Sequence, residues 1–245
     1  MTILIACGLQ REAAILPRDG VLAIPGGGDA ARLEAALEAA ASGASMILSC
    51  GIGGALDPAL KAGDLVLFIP SPSPSGEGLG WGLSASDRPV ARPHPCPSPE
   101  GEGFIEALKS ALPHAHVGRI IGQDHIAATV AEKAALHAAT GALAVDMESH
   151  IAARVAAHHG LPFAAIRTIS DTASETLPPA ALVGMNPDGS MALGKVLLSL
   201  ARQPTQLPAL IRTGRSAEAA FKALSELTGS IEILLADSAV RQDRP

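Results

Sequence analysis

The sequence is poor in aromatic side chains and has no excess of positive charge. Aromatic residues make up 2% of the 245 positions, Tyr is absent, and Trp81 is the single tryptophan. Proteins that bind single-stranded nucleic acid rely on aromatic stacking platforms, so this class is disfavoured. Lys and Arg number 18 against 24 Asp and Glu, a net charge of −6 without blocks of like charge. An extended nucleic-acid surface is therefore disfavoured, and we expect a small-molecule or protein partner instead.

Cysteines and long apolar runs are also scarce. Cys7, Cys50 and Cys96 fit neither a disulfide framework nor a CxxC metal site, which favours a reducing compartment. Residues 1–9 lack the basic n-region of a secretory signal, and no apolar run approaches the ~20 residues that span a bilayer. These features predict a cytoplasmic protein. The histidines, including the pair at 158–159, show no metal-ligand spacing with a Glu, so we expect no metal.

What is present predicts a layered α/β protein. Apolar residues form 48% of the chain, and short apolar segments alternate with Ala-rich stretches of helical period. Asp29 and Thr129 have the positions of helix N-caps, and Gly160 followed by Pro162 ends a helix. We expect one domain over residues 1–245. Predicted strands lie near 2–8, 20–24, 45–50, 64–69, 117–121, 142–146 and 163–169, and predicted helices near 29–42, 104–112, 129–139, 147–159 and 190–202, with one or two more after 215.

Residues 71–103 depart from this pattern. Pro, Gly and Ser dominate the segment, and PSPSGEG near its start is echoed by PSPEGEG at its end. A structureless stretch of this length is unusual inside a compact domain. We interpret it as a low-complexity insertion that is solvated, in preference to a functional lid.

Residues 215–245 predict a helical tail. Its apolar residues recur at helical spacing, so it could pack on the domain, contact a second subunit or lie on a membrane. Its acidic residues and its lack of a basic face make membrane contact the weakest of these three.

Polar side chains follow two of the predicted strands, at the sheet edge where ligands of open α/β sheets bind. In AVDMES and IRTISDTA, an apolar strand leads directly into a polar cluster. Charged groups at the ends of buried strands are costly unless they are paired or used, which makes a functional role as good an explanation as a structural one. The candidates at this edge are Asp146, Glu148, Arg167, Ser170 and Asp171.

Two other stretches carry weaker signals. Glu12, in CGLQREA, is by itself explained as a solvated carboxylate at a helix start. In SCGIGGAL, Gly51, Gly53 and Gly54 follow a strand and predict either a close approach of backbone to a ligand or a tight turn. Their spacing is not GxGxxG and no Lys with Ser or Thr follows, so a P-loop or dinucleotide site is only weakly indicated.

Together, GLQREA, CGIGGAL, AVDMES and IRTISD resemble, in this order, the nucleoside phosphorylase and nucleosidase superfamily that contains methylthioadenosine/S-adenosylhomocysteine nucleosidase. The resemblance covers about residues 2–200 outside the insertion. The run AVDMESHIAARVAAHHGLPFAAIRTISDTA is similar to the hopanoid-associated phosphorylase branch, which is thought to release adenine from adenosylhopane. The resemblance implies a three-layer α/β/α fold with a central mixed, partly barrel-like sheet, and a homo-oligomer that is at least a dimer.

The resemblance also implies a role for each matching residue. On the sugar side, Glu12 corresponds to the carboxylate that activates the attacking water, and Arg167 to the arginine that helps to hold this water. Glu148 corresponds to the carboxylate that binds the ribose 2′ and 3′ hydroxyls, and Met147 to the methionine that packs on the sugar. On the base side, Asp171 corresponds to the acid that serves N7 of the departing purine, and Ser170 to the residue that orients this acid. Gly53 and Gly54 correspond to backbone that lines the base. Ile126 corresponds to the residue whose main chain reads the purine edge, and His125 to the position of a stacking aromatic ring.

These roles fit the chemistry of N-ribosidic bond cleavage. The sugar gains positive charge and the base gains negative charge, so a proton donor is needed at the base and hydroxyl-binding or anionic groups at the sugar. Asp171 must then carry a proton near neutral pH, which requires a desolvated site, whereas Glu148 must stay ionised to accept two hydroxyl hydrogens.

Departures from the superfamily pattern keep alternatives open. Ile52 stands where the nucleosidases have a small hydroxyl residue that helps to position water, and apart from Arg167 no assured set of phosphate-binding cations is evident. Hydrolysis and phosphorolysis are both compatible with the sequence, with inorganic phosphate as co-substrate in the second case and no other cofactor. The first hypothesis is adenine release from a 5′-substituted adenosine such as adenosylhopane, with peripheral membrane contact for a lipid substrate. The alternatives are a methylthioadenosine/S-adenosylhomocysteine nucleosidase and a catalytically silent nucleoside- or lipid-binding protein.

Overall fold

A computed structural model describes residues 2–70 and 99–242 of the chain. Within these residues it contains a mixed sheet of eight strands. Five strand pairs are parallel, and the pairs β3–β7 and β4–β8 are antiparallel. The strands are β1 (Ile3–Cys7), β2 (Val21–Pro25), β3 (Met46–Ala55), β4 (Leu65–Phe68), β5 (His116–Val117), β6 (Ile120–Gly122), β7 (Ala144–Asp146) and β8 (Phe163–Asp171).

The long strand β3 lies at the centre of this sheet. The main path of the sheet runs β2–β1–β3–β8–β4–β5, while β7 and then β6 join it through the far end of β3. The first half of β3 therefore pairs with β1, its last two residues pair with β7, and β8 accompanies it along most of its length. The mixed α/β fold predicted from the sequence is confirmed.

Helices cover both faces of the sheet. Alternate residues of β1 point to opposite faces, so Leu4 belongs to one apolar cluster and Ile3 and Ile5 to the other. The first cluster includes residues of α2 and α5, and the second includes residues of α3 and α8. The helices are α1 (Gln10–Ile15), α2 (Ala30–Ala41), α3 (Pro99–Ala111), α4 (Val130–Thr140), α5 (Ser149–His159), α6 (Pro179–Leu182), α7 (Leu193–Arg202) and α8 (Leu207–Gln242), with a 3-10 turn at Pro204–Gln206.

The capping predictions are confirmed. Asp29 accepts a hydrogen bond from the backbone of Arg32, and Thr129 accepts one from Glu132. Gly160 has φ of 64° at the end of α5, a conformation that glycine adopts without strain.

The glycine stretch after Cys50 differs from the tight turn that the sequence allowed. Gly51, Gly53 and Gly54 lie inside β3, which continues to Ala55. The register against β8 shifts between Gly53 and Gly54, so the strand contains a bulge. Glycine is required here because side chains of neighbouring elements pack directly against the strand.

Other boundaries also differ from the predictions. Helix α1 was not predicted, the expected strand at 117–121 is divided between β5 and β6, and α3 begins five residues before the predicted position 104. Residues 71–98 of the predicted insertion at 71–103 lie outside the residues that the structure describes.

The C-terminal segment forms one helix, α8, of 36 residues. It packs on β8, α1 and α3, and its inward face includes Phe221, Leu224 and Ile231, all buried. Among the residues described, no helix is both long and apolar enough to cross a membrane.

Candidate active site

The guanidinium of Arg167 lies at the middle of a buried group of carboxylates. Arg167 is fully buried in β8, with Nε 2.8 Å from Asp146 Oδ2 and Nη2 3.5 Å from Glu148 Oε2. Its Nη2 donates a hydrogen bond of 2.6 Å to the hydroxyl of Ser49, and its Nη1 donates one of 2.7 Å to its neighbour's carbonyl. Burial alone would lower the pKa of Arg167, but Asp146, Glu148 and Glu12 raise it above its ordinary value. We call Glu12, Asp146, Glu148 and Arg167 the Arg167 centre.

Glu12 is held in this centre by the start of helix α1. It occupies the third position of the helix, where its carboxylate can reach back to the preceding backbone. Its oxygens accept hydrogen bonds from the N–H groups of Gly8 (2.6 Å), Leu9 (2.7 Å) and Ile52 (2.7 Å). The side chain is 1% exposed, so it is not the solvated carboxylate that the isolated motif suggested. Burial raises the pKa of Glu12, although these hydrogen bonds and Arg167 oppose the rise.

Glu148 follows β7 at the N-terminal end of α5. Burial raises its pKa to about 8; Arg167 opposes this rise, while Asp146 and Glu12 add to it. The shift favours the protonated form of Glu148 relative to an ordinary carboxyl group, because three buried carboxyl groups share one guanidinium and cannot all carry charge cheaply. Ionisation of Glu148 when it binds the ribose hydroxyls stays a prediction.

Asp146 shapes the turn into α5. Its Oδ1 accepts hydrogen bonds from the backbone of Glu148 (2.9 Å) and Ser149 (2.8 Å), and its Oδ2 accepts one from the Ser149 hydroxyl. These bonds fix the backbone that carries Met147 and Glu148. Asp146 was placed at this sheet edge by the sequence, but its contact with Arg167 was not predicted.

A second buried centre surrounds Asp171 at the end of β8. Ser170 donates a hydrogen bond of 2.9 Å to Asp171 Oδ1, in the orienting position that the resemblance implied. Lys133 Nζ forms an ion pair with Asp171 Oδ2 and donates hydrogen bonds to the carbonyls of Thr172 (2.8 Å) and Glu175 (3.0 Å). We call Lys133, Ser170 and Asp171 the Asp171 centre.

Lys133 is the main residue of the site that the sequence did not indicate. It lies in α4 and is fully buried, the only residue of this helix that is buried among those the structure describes. A lysine in an Ala-rich amphipathic helix normally lies on the solvated face, so its sequence context gives no signal of the ion pair.

The glycines of β3 bring the two centres together. A Cβ atom on Gly53 would lie 3.1 Å from Arg167 Cδ, and one on Gly54 would lie 3.1 Å from Asp171 Oδ2. A Cβ on Gly51 would lie 2.6 Å from Glu12 Oε1, a distance that real Cβ atoms do not show. Because Gly51, Gly53 and Gly54 have no side chains, the charged groups can pack against the backbone of β3 at these positions.

A cavity of about 650 Å³ is lined by apolar side chains together with the charged residues Asp29 and Lys195. Met147, which lies between Asp146 and Glu148 in the chain, lines it together with Ile126. Leu182 and Met185 line it from the region of α6, and Lys195 from α7. The size is in the range of ligand sites, which commonly run from about 300 to 1,000 Å³.

His125 does not join these groups. Its side chain is 70% exposed, and its Nε2 lies 3.3 Å from Glu132 Oε1. Stacking of His125 on a base stays a prediction.

Two cysteines adjoin the site but have no nucleophilic character. Cys7 and Cys50 are fully buried and unpaired at the ends of apolar strand segments. Burial raises the pKa of Cys50 to about 12 and that of Cys7 still further. Neither thiol is a thiolate at neutral pH, in agreement with their predicted role as small buried hydrophobic residues.

Comparison with known families identifies the fold that carries these centres. A family model described as the phosphorylase superfamily matches residues 4–202. The chain belongs to the phosphorylase superfamily. A comparison with curated proteins gave no match.

Several solved structures similar to this superfamily member are named as nucleosidases or as futalosine hydrolase. Futalosine hydrolase of Helicobacter pylori strain 26695 is 18% identical with a TM-score of 0.57, over 94% of this chain and 97% of that one. The S-adenosylhomocysteine nucleosidase of Streptococcus pyogenes is 19% identical with a TM-score of 0.59, over 94% and 95%. A 5′-methylthioadenosine/S-adenosylhomocysteine nucleosidase of Colwellia psychrerythraea 34H, solved with adenine, is 20% identical with a TM-score of 0.57, over 94% and 96%. At these identities the likeness establishes a shared fold.

Elsewhere on this phosphorylase-superfamily chain, two histidines approach a carboxylate. His158 Nδ1 and His159 Nε2 lie 2.9 and 2.6 Å from the two oxygens of Glu38. The ligand atoms of these three residues lie within 4.8 Å of one another and could hold a metal ion, so the residues converge in space although their sequence spacing does not indicate it. Sequence spacing could not show this because Glu38 lies on α2, about 120 residues from α5. That the chain holds no metal stays a prediction.

Proposed function

We propose that this protein cleaves the N-ribosidic bond of a purine nucleoside and releases adenine from a 5′-substituted adenosine. The observation that carries the proposal is the meeting of two buried acid centres at Gly53 and Gly54. Bond cleavage builds positive charge on the sugar and negative charge on the base. The carboxylate-rich Arg167 centre suits the positive charge on the sugar. The Asp171 centre, in which a carboxyl group is paired with the cation of Lys133, suits the negative charge on the base.

On the sugar side, Glu12 acts as general base. Its raised pKa brings it closer to neutral, where a general base is most effective. Water attacks C1′ of the ribose and gives a proton to Glu12, while the bond from C1′ to the purine breaks. Glu148 binds the ribose hydroxyls and releases its own proton when it does so, since two hydroxyl donors favour the ionised carboxylate.

On the base side, Asp171 passes a proton to N7 of the purine as the bond breaks. Because Asp171 is the carboxylate of an ion pair with Lys133 in the free protein, it takes up this proton from solvent when the substrate binds. The transfer leaves a carboxylate on Asp171, whose charge is balanced by the ammonium of Lys133 beside it. Ser170 holds the carboxyl group in place through Oδ1. Lys133 is thus a positioning residue that stabilises the state after proton transfer.

The charge of the Arg167 centre favours hydrolysis over phosphorolysis. Its guanidinium is fully buried and already bonded to Ser49 and paired with Asp146. A phosphate dianion at this point would meet three carboxyl groups and a single cation, which is already paired with Asp146. Water is the better nucleophile for such a site.

The cavity beside Met147 supports a large apolar 5′ substituent. Ile126, Met147, Leu182 and Met185 give it a largely apolar lining. We propose a substituent of hydrocarbon character, for which adenosylhopane is the leading candidate. A methylthioadenosine/S-adenosylhomocysteine nucleosidase is the second candidate, because the fold is shared with such enzymes.

Adenine release from a matched series of adenosines tests the proposal. The purified chain is given 5′-methylthioadenosine, S-adenosylhomocysteine and an adenosine with a long hydrocarbon at C5′, each with and without inorganic phosphate. We expect phosphate-independent release of adenine and of the ribose that still carries the 5′-substituent, with the highest kcat/KM for the hydrocarbon substrate. A requirement for phosphate would instead identify a phosphorylase, and no adenine from any substrate would leave a silent binding protein.

The variant Asp171→Asn separates chemistry from binding. It cannot donate a proton to N7, so kcat falls by about 10²–10⁴ while substrate binding is retained. Asp19→Asn, an exposed carboxylate between α1 and β2, serves as the matched control and keeps normal turnover. Folding of both variants is checked by circular dichroism, and near-normal turnover in folded Asp171→Asn refutes the assigned role.

A further inference from the structure

Helix α7 presents an apolar face to solvent. Among the residues that the structure describes, no residue of this helix is fully buried, although Val196, Ser199 and Leu200 are half-buried. Leu193 is 63% exposed, Leu197 65% and Leu198 51%. Residues four apart lie on the same side of a helix, so Leu193 and Leu197 are adjacent and Leu198 borders them. We call these three residues the α7 face.

The chain around the α7 face is positively charged. Residues 189–217 contain Lys195, Arg202, Arg212 and Arg215 but neither Asp nor Glu, although the chain as a whole has a net charge of −6. All four side chains are exposed, and none forms an ion pair with another side chain in the described ranges 2–70 and 103–235. Lys195 and Arg202 follow Leu198 around the helix, so they border the apolar face.

The α7 face also adjoins the cavity. The backbone of Ala192, just before α7, donates a hydrogen bond to the carbonyl of Gly184, just after α6. Lys195 lines the cavity together with Leu182, which is itself 40% exposed. Exposed apolar surface is therefore found both at the cavity mouth and on the helix beside it.

We propose that the α7 face docks on an anionic phospholipid surface. In a helix that binds at the membrane interface, apolar side chains such as leucine enter the boundary of the lipid acyl chains. Neighbouring cations contact the lipid phosphates. A second copy of the chain fits the face less well. A two-fold interface would bring the same patch of both subunits together, so the cations Lys195 and Arg202 of both copies would be gathered in one contact with no carboxylate in residues 189–217 to offset them.

This surface differs from the one suggested by sequence. The tail after Arg215 was the segment considered for membrane contact, yet the apolar face of α8 is buried in the protein. The signal was missed because α7 lies before that segment and its leucines have the same helical period as those of a core helix.

Vesicle flotation with the full-length chain tests the proposal without any assay of activity. Vesicles of phosphatidylcholine with about one-third phosphatidylglycerol are compared with phosphatidylcholine alone, at low and high salt. We expect binding to the anionic vesicles that weakens with salt. The pair Lys195→Gln and Arg202→Gln weakens it by about 25-fold, since each cation contributes about fivefold.

Matched apolar variants locate the contact. The pair Leu193→Gln and Leu197→Gln is expected to weaken binding by about tenfold or more, because apolar area no longer enters the bilayer. Ile233→Gln, which changes an equally exposed residue (66%) on α8, keeps binding within about twofold. Exposed substitutions leave the fold intact, which melting curves check.

Three outcomes overturn the proposal. The first is no binding to anionic vesicles at low salt. The second is an equal loss in Ile233→Gln, which would show nonspecific adsorption. The third is a dimer in sedimentation that dissociates in the Leu193→Gln and Leu197→Gln variant, which would assign the face to a second copy of the chain.

Discussion

The Arg167 centre and the Asp171 centre are both buried, but they balance charge in different ways. The Arg167 centre sets three carboxyl groups against one guanidinium, and burial raises the pKa of Glu12 and that of Glu148. The Asp171 centre sets one carboxyl group against one ammonium, within a frame of backbone carbonyls. The first centre has too few cations to balance its carboxyl groups, whereas the second pairs its single carboxyl group with one cation. Burial alone therefore does not determine how such a site balances its charge.

Removal of the cation from each centre is the strongest test of this difference. Lys133→Met leaves one buried carboxylate and two carbonyls without a donor, which costs about 3–5 kcal/mol of unfolding free energy. Arg167→Met costs at least as much at pH 8, because three carboxyl groups lose their guanidinium. Urea unfolding at pH 8 measures both effects.

A second substitution distinguishes the two centres further. Asp171→Asn should restore at least about 1 kcal/mol in the Lys133→Met background, since the pair is removed as a unit. Glu148→Gln in the Arg167→Met background restores less, because Glu12 and Asp146 remain. Equal rescue in both would show that the charge balance of the centres does not differ.

The glycines of β3 provide a test of intermediate size. Gly51→Ala would place a Cβ 2.6 Å from Glu12 Oε1, and the buried carboxylate cannot move without loss of its hydrogen bonds, so we expect about 2 kcal/mol of destabilisation. Gly54→Ala meets Asp171 Oδ2 at 3.1 Å and costs less. Gly43→Ala, with open space around it, is the control. Thermal melting ranks the three, and a larger effect at Gly54 than at Gly51 would contradict the packing described here.

The pH dependence of stability gives a further test. The pKa of Glu148 is about 8 in the folded protein against an ordinary value of 4.5, so the folded state holds the proton more tightly. The contribution of Glu148 to the free energy of unfolding is fully present below about pH 4.5 and is lost as the pH rises through 8. A tenfold difference in proton affinity is about 1.4 kcal/mol, which corresponds to about 3 °C in Tm. Between pH 5 and 8, the Tm of the wild type should fall by at least this much relative to Glu148→Gln.

Glu34→Gln is the control for this series. A hydrogen bond from Arg154 lowers the pKa of Glu34, so its contribution is present above its ordinary pKa and changes little between pH 5 and 8. The slope of Tm against pH in Glu34→Gln should match the wild type. A matching slope in Glu148→Gln would contradict the raised pKa.

The sequence predicted most of the fold because its strands and helices have distinct periods. The strands that end in AVDMES and IRTISD were correctly placed, and their polar residues do gather at one place. Helix α1 was missed because six residues provide too little periodicity to detect. The extension of β3 through Gly54 was missed because glycine normally indicates a turn, and the side chains that require it come from elsewhere in the fold.

The candidate site was predicted less completely than the fold. Glu12 and Arg167 are brought together as expected, but Lys133 and the contact of Asp146 with Arg167 depend on residues from separate elements. A single sequence shows which residues lie near one another along the chain, and it does not show which helix face turns inward when the surface is rich in alanine. The raised pKa of Glu148 was not predicted, because it depends on burial and on groups such as Glu12 that come from a separate element.

The bulged strand β3 has a consequence for how such a site can change. Gly51 touches the group assigned to water activation, and Gly54 touches the group assigned to proton donation. Their separation is set by three residues of one extended strand, about 10 Å at about 3.4 Å per residue. Loops and helices around the site can vary in length without altering this distance. A one-residue deletion within β3 would shift the two reacting groups relative to each other, so this strand is where the chain tolerates no change of length.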